Sequence, residues 1–331
     1  MQSSRLVFLV RGAWVLLVAG ALATAQQLPD APAAPGSLQK STPAKPTESS
    51  PPQNPAAHAA PQNSADQSAP VKEKAVIPAS AERHYHQGVQ YQRGGDVGDA
   101  IAEYKDAIKD YPDYYDAHYS LGRLYLDKQG YADAAKEFKE AVRLKPNDAD
   151  ARNELGYALK HNGDLNGAIF EYKQAVQLNP KLAIAQNNLA NALYAKRDFA
   201  GAIQHYGLAL AIEPKSAQTH MNLGSALDDA GKTDEAIAEY KEAMKLDPKN
   251  ANVHYNLAIV YQKKKDMPAA IAELKEAAKL SPDWPTPHIV LTNLLKDSDP
   301  KAAIDECMVA DGLTHDAKLH DQCMELMKKA Q

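Results

Sequence analysis

Asparagine residues recur at a fixed interval in the middle of the chain, where they could form a peptide-binding strip. The interval from Asn188 to Asn222 is repeated from Asn222 to Asn256, and two more asparagines flank the first, at Asn187 and Asn191. An amide side chain offers both a hydrogen-bond donor and an acceptor, so it can pair with a peptide backbone whatever side chains that peptide carries. A strip of such amides could therefore pair with the backbone of a bound chain. The alternative interpretation is that each amide bonds a neighbouring helix of its own chain.

Tyrosine residues share this spacing. Counted in steps of the same interval, Tyr85, Tyr119 and Tyr255 each stand one residue before the position that Asn188, Asn222 and Asn256 share. A tyrosine ring at such a place can pack against the side chains of a ligand. We assign Tyr119 and Tyr255, together with the five asparagines, to the predicted partner-binding site.

Cysteine occurs only twice, at Cys307 and Cys323. An even pair in an exported protein favours a disulfide, which would stabilise the chain end by about 2–4 kcal/mol. From a turn near Leu313, Cys307 lies six residues back and Cys323 ten residues forward. Two antiparallel helices would then offset the pair by about 6 Å along the axis, which is awkward for a bridge. A disulfide and two buried thiols both stay open.

Eleven histidines raise the question of a metal site. His315 and His320 lie near Cys323, but two residues five apart on a helix point to different sides. Other histidines recur at multiples of the interval that separates the asparagines, and we expect each to pack inside its own structural unit: His118, His220, His254 and His288. We predict no metal and no cofactor, and keep a metal or redox role of the C-terminal histidines and cysteines as an alternative.

Catalytic motifs are missing from the sequence. It contains no nucleophile elbow, no phosphate-binding glycine loop and no H-E-x-x-H. The carboxylates alternate with lysines, as in EYKEAMKLDPK, which is typical of a solvated helix face. We therefore expect a protein that is not an enzyme.

The elements that position these residues come from a repeat whose period is the interval between the asparagines. Most copies have a leucine before a small residue, then an alanine and an aromatic, as in Leu155, Gly156, Ala168 and Tyr172; Gln87 replaces the leucine in the first copy and Leu274 the aromatic in the sixth. Its apolar residues recur at helical spacing, and short segments such as NGDL and KRDF divide it into two helices. Helices of this length are marginal alone, so each copy must bury its apolar face against the next. A proline ends each of the six full copies: Pro112, Pro146, Pro180, Pro214, Pro248 and Pro282.

This pattern resembles the tetratricopeptide repeat. The resemblance covers six full units that start near residues 81, 115, 149, 183, 217 and 251, and a seventh from Pro285 that lacks one residue in its inner turn. It implies an all-α fold, a right-handed α-solenoid of about seven helix-turn-helix units over residues 81–314, with a capping helix over residues 315–331. The asparagines resemble those in the repeats of O-GlcNAc transferase, which hold a peptide backbone in the concave groove. The usual tryptophan of the first helix is replaced, as at His118, Arg152 and Gln186.

Two segments precede the repeats. Residues 1–25 have two arginines, an apolar run and the sequence Ala23-Thr24-Ala25, which is the pattern of a cleaved secretory signal. The alternative is an uncleaved anchor, but the run after Arg11 is shorter than the roughly 20 residues that a spanning helix needs. Residues 26–80 are rich in proline, alanine, glutamine and serine, so we expect a disordered linker. We therefore predict export, to the periplasm first, with secretion or N-terminal anchoring as alternatives.

The charge distribution narrows the class of partner. The formal net charge is −5, with 37 lysines and arginines and 42 aspartates and glutamates spread through the repeats. Nothing resembles the clustered basic face that neutralises phosphates, so nucleic acid is not an expected partner. We also expect no stable membrane insertion once the signal is cleaved.

These observations together predict an exported scaffold. Its expected role is to hold an extended peptide or a partner protein in the concave groove during assembly of the cell envelope. Two alternatives stay open. One is a self-associating structural protein of the envelope, and the other is a metal or redox protein that uses His315, His320 and Cys323.

Overall fold

A computed structural model describes residues 76–330, and over this range the chain consists of α-helices without strands. The predicted signal peptide and most of the predicted linker, up to residue 75, lie outside the described residues. The first helix begins at Ala79, two residues inside the predicted linker. It starts there because Pro78 has a fixed backbone angle that suits a helix start and its carbonyl accepts from the Glu82 N–H at 3.1 Å.

Fifteen helices follow one another in the described range, and the first fourteen pack as seven successive pairs. The bounds are α1 (Ala79–Gly94) and α2 (Val97–Asp110), α3 (Tyr115–Asp127) and α4 (Tyr131–Leu144), α5 (Ala149–His161) and α6 (Leu165–Leu178), α7 (Ala183–Ala195) and α8 (Phe199–Ile212), α9 (Ala217–Asp229) and α10 (Thr233–Leu246), α11 (Ala251–Lys263) and α12 (Met267–Leu280), α13 (Pro285–Leu295) and α14 (Pro300–Thr314), then α15 (Ala317–Lys329). The odd-numbered helices are thus the first helices of the units and the even-numbered ones are the second.

The turn inside each of the first six units has one conformation. A residue with positive φ recurs at the period of the repeat, at Gly95, Gln129, Gly163, Arg197, Gly231 and Lys265. This left-handed residue closes the first helix. In several units an aspartate then caps the second helix, as where Asp164 accepts from the Gly167 N–H at 2.8 Å. The turn segments seen in the sequence therefore act as a left-handed stop followed by a cap.

Glycine lets the two helices of a unit approach closely. A Cβ atom on Gly156 would lie 2.7 Å from the ring of Tyr172, and one on Gly224 would lie 2.9 Å from the ring of Tyr240. These rings are buried and fill the space between the helices. The spacing of small residue and aromatic is therefore a packing device, since a side chain at the first position would collide with the ring at the second.

A polar contact joins the two helices where the usual tryptophan is absent. In unit 2 the His118 Nδ1 lies 2.7 Å from a carboxylate oxygen of Glu137, and its Nε2 lies 2.9 Å from the Pro112 carbonyl. Unit 3 has Arg152 in the same two contacts, with Glu171 and with the Pro146 carbonyl. Equivalent histidine–glutamate pairs join the other units except unit 4: His84 with Glu103, His220 with Glu239, His254 with Glu273, and His288 with Glu306. Each side chain therefore ties its unit together, and several also bond the proline loop of the preceding unit.

The C-terminal end carries a disulfide between Cys307 and Cys323, whose Cα atoms lie 5.6 Å apart. The offset of about 6 Å expected from the sequence is not found. The reason is that α14 continues to Thr314, so the chain turns at His315, which is the midpoint between the two cysteines. The helix α15 then buries Leu319 and Cys323 against the last unit.

Candidate partner-binding groove

The first helices form the inner side of the stack. Helices α3, α5, α7, α9 and α11 each contact the next one in this series, although a second helix lies between them along the chain. When the first helices of neighbouring units contact each other in this way, they must lie on the concave side of the stack. The inner face is therefore built from the helices that carry the predicted asparagines.

Two of the predicted asparagines link neighbouring inner helices. The Asn188 Nδ2 donates to the Asn153 Oδ1 at 3.1 Å, and the Asn222 Nδ2 donates to the Asn191 Oδ1 at 3.1 Å. Both Asn188 and Asn222 have no exposed surface. In this conformation their contacts are those of the alternative interpretation, in which the amide bonds a neighbouring helix. The physical reason is the close approach of successive inner helices, which encloses side chains that the sequence places on the inner face.

The remaining predicted residues divide into enclosed and accessible ones. Asn191 accepts from the Tyr206 hydroxyl at 2.5 Å, and Asn187 accepts from the Thr219 hydroxyl at 3.3 Å. Both amides are buried, and Tyr255 is buried against Trp284, with ring centroids 4.9 Å apart. The side chains that keep part of their surface exposed are those of Asn256 and Tyr119.

One acceptor in the amide network is unsatisfied. The Asn188 Oδ1 is buried and has no hydrogen-bond partner within residues 76–330. Leaving a buried acceptor unpaired costs about 1–3 kcal/mol. The network therefore has capacity for one further donor at Asn188.

A buried carboxyl group lies beside the same network. Glu154 is 4% exposed and follows Asn153 in α5. Burial raises the pKa of Glu154 to about 7, and the positive charge of Arg123 offsets only part of this effect. The inner face therefore contains a group whose charge changes near neutral pH.

Accessible rings and charges lie toward the C-terminal ends of the inner helices, where the sequence analysis placed no site. The His161 side chain is exposed, and its ring stacks on Tyr131 with centroids 4.9 Å apart and also contacts the ring of Tyr157 at 4.4 Å. In the next units the Tyr194 hydroxyl donates to the Asp229 carboxylate at 2.5 Å. The sequence did contain a signal for this surface, because polar or aromatic residues recur at the twelfth and thirteenth positions of the units.

The C-terminal histidines do not form a metal site with Cys323. The Cys323 sulfur is in the disulfide, and His320 Nδ1 pairs with the Asp311 carboxylate at 2.8 Å. Within residues 76–330 no group of three histidine, cysteine, aspartate or glutamate side chains is arranged to hold a metal ion. In the same range, no helix combines the length and the apolar character that crossing a membrane requires.

Family models match most of the helical stack. The model described as "Tetratricopeptide repeat" matches residues 85–149, 121–182 and 162–217, a second of that description matches 251–283, and the model described as "TPR repeat" matches 229–265. The chain belongs to the tetratricopeptide repeat family. This assignment agrees with the paired helices and with the glycine–aromatic packing of each unit. A comparison with curated protein sequences finds no significant match.

Several solved structures resemble this tetratricopeptide chain. PilW, described as a widely conserved type IV pilus biogenesis factor, is 19% identical, with a TM-score of 0.57 over 65% of this chain and 99% of that one. PilF of Pseudomonas aeruginosa is 20% identical, with a TM-score of 0.55 over 64% of this chain and 96% of that one. MamA is 26% identical, with a TM-score of 0.49 over 52% of this chain and 94% of that one. At these identities the similarity to PilW and PilF shows the fold alone.

Proposed function

We propose that the protein is a non-enzymatic scaffold that holds an extended segment of a partner protein along its inner face. Tetratricopeptide domains bind protein or peptide partners, and the fold of this chain is of that class. The observation that carries the proposal is the polar inner face of α5, α7 and α9, which includes the unpaired acceptor of Asn188. A peptide N–H is a donor of the kind that this oxygen lacks.

The contacts of the partner divide between two sets of side chains. Accessible residues would contact it directly, namely Asn256 and Tyr119 with Tyr157, His161 and Tyr194. The buried amides Asn187, Asn191 and Asn222 would hold the inner helices at a fixed separation, and so keep the accessible residues in register with an extended chain. Asn188 would join the first set through its unpaired oxygen after a small side-chain movement.

Site-specific photo-crosslinking in the native host tests this function. A photoreactive amino acid at His161 lies exposed at the end of the inner helix α5, whereas one at Lys275 lies exposed on the second helix of unit 6. We expect one discrete protein adduct from the His161 position and none from the Lys275 position. Adducts from Lys275 alone would place binding on the outer face and contradict the proposal.

Alanine variants of the strip give a second measurement on the captured partner. Combining Asn188→Ala, Asn222→Ala and Asn256→Ala should weaken binding of that partner by at least about tenfold. Circular dichroism at 222 nm checks that the variant keeps its helices. Unchanged affinity in the folded variant would limit the asparagines to a structural role.

We further propose that residues 1–25 direct export and that the scaffold acts in the cell envelope, in the periplasm. The support is the arrangement of Arg5, Arg11 and Ala23-Thr24-Ala25 in the sequence. N-terminal sequencing of the protein from fractionated cells tests it. A mature chain that begins at Gln26 in the periplasmic fraction is expected, and an intact Met1 in the cytoplasmic fraction would contradict it.

A further inference from the structure

Three aromatic rings from two units form one cluster at the end of α5. The ring centroid of His161 lies 4.9 Å from that of Tyr131, at the start of α4, and 4.4 Å from that of Tyr157. Tyr157 and His161 are four residues apart on α5, so their side chains share one face of the helix. His161 is exposed and the two tyrosines are half-buried. We call these three residues the ring cluster, a joined aromatic surface of the kind on which proline side chains pack.

The chain that precedes the stack has the complementary chemistry. Residues 26–75 contain no phenylalanine, tyrosine or tryptophan, and many of their prolines recur at an interval of three. A polyproline II helix has three residues per turn, so prolines at this interval lie along one edge of it. Such an edge packs on aromatic side chains, and its carbonyls accept hydrogen bonds from hydroxyl groups. The pairs with this spacing are Pro29 with Pro32, Pro32 with Pro35, Pro43 with Pro46, and Pro52 with Pro55.

The ring cluster lies close to the point where this segment joins the stack. Ile77 packs against Tyr114 and Ala117 at the start of α3. Helices α3 and α5 occupy equivalent places in successive units and contact each other, and α5 is 13 residues long. With a rise of about 1.5 Å per residue and about 8–10 Å between helix axes, the end of α5 lies about 20–25 Å from Ile77.

Pro52 and Pro55 are the pair best placed to use this span. A flexible chain of twenty residues, the length of segment 56–75, has a root-mean-square end-to-end distance of about 22–27 Å. A tether whose length matches the span gives an effective concentration in the mM range. A separate molecule at µM concentration would need an affinity about a thousandfold higher to reach the same occupancy. The tether therefore favours this chain's own prolines as the occupant of the ring cluster.

We propose that the segment around Pro52 and Pro55 docks on the ring cluster of its own chain in polyproline II conformation. The two prolines pack against the rings of Tyr157 and His161, and the Tyr131 hydroxyl donates to a carbonyl of the segment. Tyr157 and His161 also belong to the proposed partner site, so a partner that uses these rings must displace the segment. The docking involves one chain alone, so it and the proposed partner binding can each fail without the other.

Photo-crosslinking in the purified whole chain tests the docking without any partner. A diazirine-bearing amino acid replaces Gln53, which lies between the two prolines. At about 10 µM protein we expect adducts with the peptide that contains Tyr157 and His161, because the tether holds the segment at a far higher effective concentration. Irradiating a mixture of isotope-labelled and unlabelled chains separates adducts within one molecule from adducts between two. Adducts spread along the stack without enrichment at α5, or adducts that only join two molecules, would overturn the proposal.

Two proline pairs with the same spacing provide a matched control. Pro52→Ala with Pro55→Ala should lower the adduct yield at α5 by at least about fivefold, because the ring contacts are lost. Pro29→Ala with Pro32→Ala removes an equal pair on a tether about twice as long, and should leave the yield unchanged. All four prolines precede the helical stack, so no contact between its helices is altered. Equal losses from the two double variants, or no loss from either, would contradict docking through Pro52 and Pro55.

Two exposed histidines test the other side of the contact. His161→Ala removes one ring of the cluster and should also lower the adduct yield at α5 by at least about fivefold. His86 lies on α1 with its ring centroid 5.7 Å from that of Tyr85, so His86→Ala changes a similar ring pair elsewhere and should have no effect. Circular dichroism at 222 nm checks that both variants keep their helices. An adduct yield that His161→Ala leaves undiminished would show that the ring cluster is not the docking site.

Discussion

Replacing Glu137 by glutamine probes the contact that ties the helices of unit 2. The His118 ring lies between two acceptors, the Glu137 carboxylate at 2.7 Å and the Pro112 carbonyl at 2.9 Å. Both ring nitrogens must donate to satisfy them, so the contact requires the protonated imidazolium. Burial alone would lower the pKa of His118, but the hydrogen bonds to Glu137 and to the Pro112 carbonyl outweigh it and raise the pKa above 6.5.

The size of the effect follows from this geometry. The side chains of His118 and Glu137 are 7% and 13% exposed, so solvent screens the pair little. A hydrogen bond between charged partners contributes about 1.5–3 kcal/mol, so Glu137→Gln should lower the free energy of unfolding by about 2 kcal/mol in mild acid. Because the folded-state pKa is the higher one, this contribution is complete below the unfolded pKa near 6.5 and is lost as the pH rises through the folded pKa. At mildly alkaline pH the imidazole is neutral and has one N–H for two acceptors, so the cost of Glu137→Gln should be smaller than in mild acid.

Unit 3 supplies the matched control. Arg152 makes the same two contacts, at 2.7 Å to Glu171 and 2.8 Å to the Pro146 carbonyl, but its guanidinium keeps its charge. Glu171→Gln should therefore cost about the same at both pH values. Urea unfolding followed by circular dichroism measures both variants. Equal pH dependence of the two losses would refute the requirement for a protonated histidine.

Three further outcomes follow from the packing of the stack. Burial raises the pKa of Glu154 to about 7, so stability should fall as the pH rises from 4.5 through 7. Glu154→Gln should then raise the free energy of unfolding in urea by about 3 kcal/mol at alkaline pH and leave it unchanged near pH 4.5. Gly156→Ala should destabilise by about 1–3 kcal/mol in a thermal melt, because its Cβ would lie 2.7 Å from the Tyr172 ring, whereas Gly312→Ala meets open space and should stabilise. Cys323→Ser should speed hydrogen exchange in α15, while unchanged exchange there would contradict a stabilising bridge.

The fold could be derived from the sequence because its rules are local. The constant period of the repeat, the helical spacing inside each unit and the breaks between helices all depend on neighbouring residues. The shortened seventh unit was also legible, and its first helix α13 is shorter than those before it. The candidate site was harder to derive. The sequence placed Asn188 and Asn222 on the inner face but did not show whether they are exposed, and the predicted site did not include Tyr157 or His161.

What the sequence by itself determined is the repeated unit: two helices, a turn between them and an apolar face that needs a neighbouring copy. What only the tertiary structure decided is how closely the copies approach. That separation encloses Asn188, raises the pKa of Glu154 and brings the Pro112 carbonyl to His118. The tertiary structure also decides that Cys307 lies beside Cys323, because the chain turns at His315. The physical reason is that propensity and periodicity act within one unit, whereas exposure and electrostatic environment depend on side chains that the stack brings in from adjacent units.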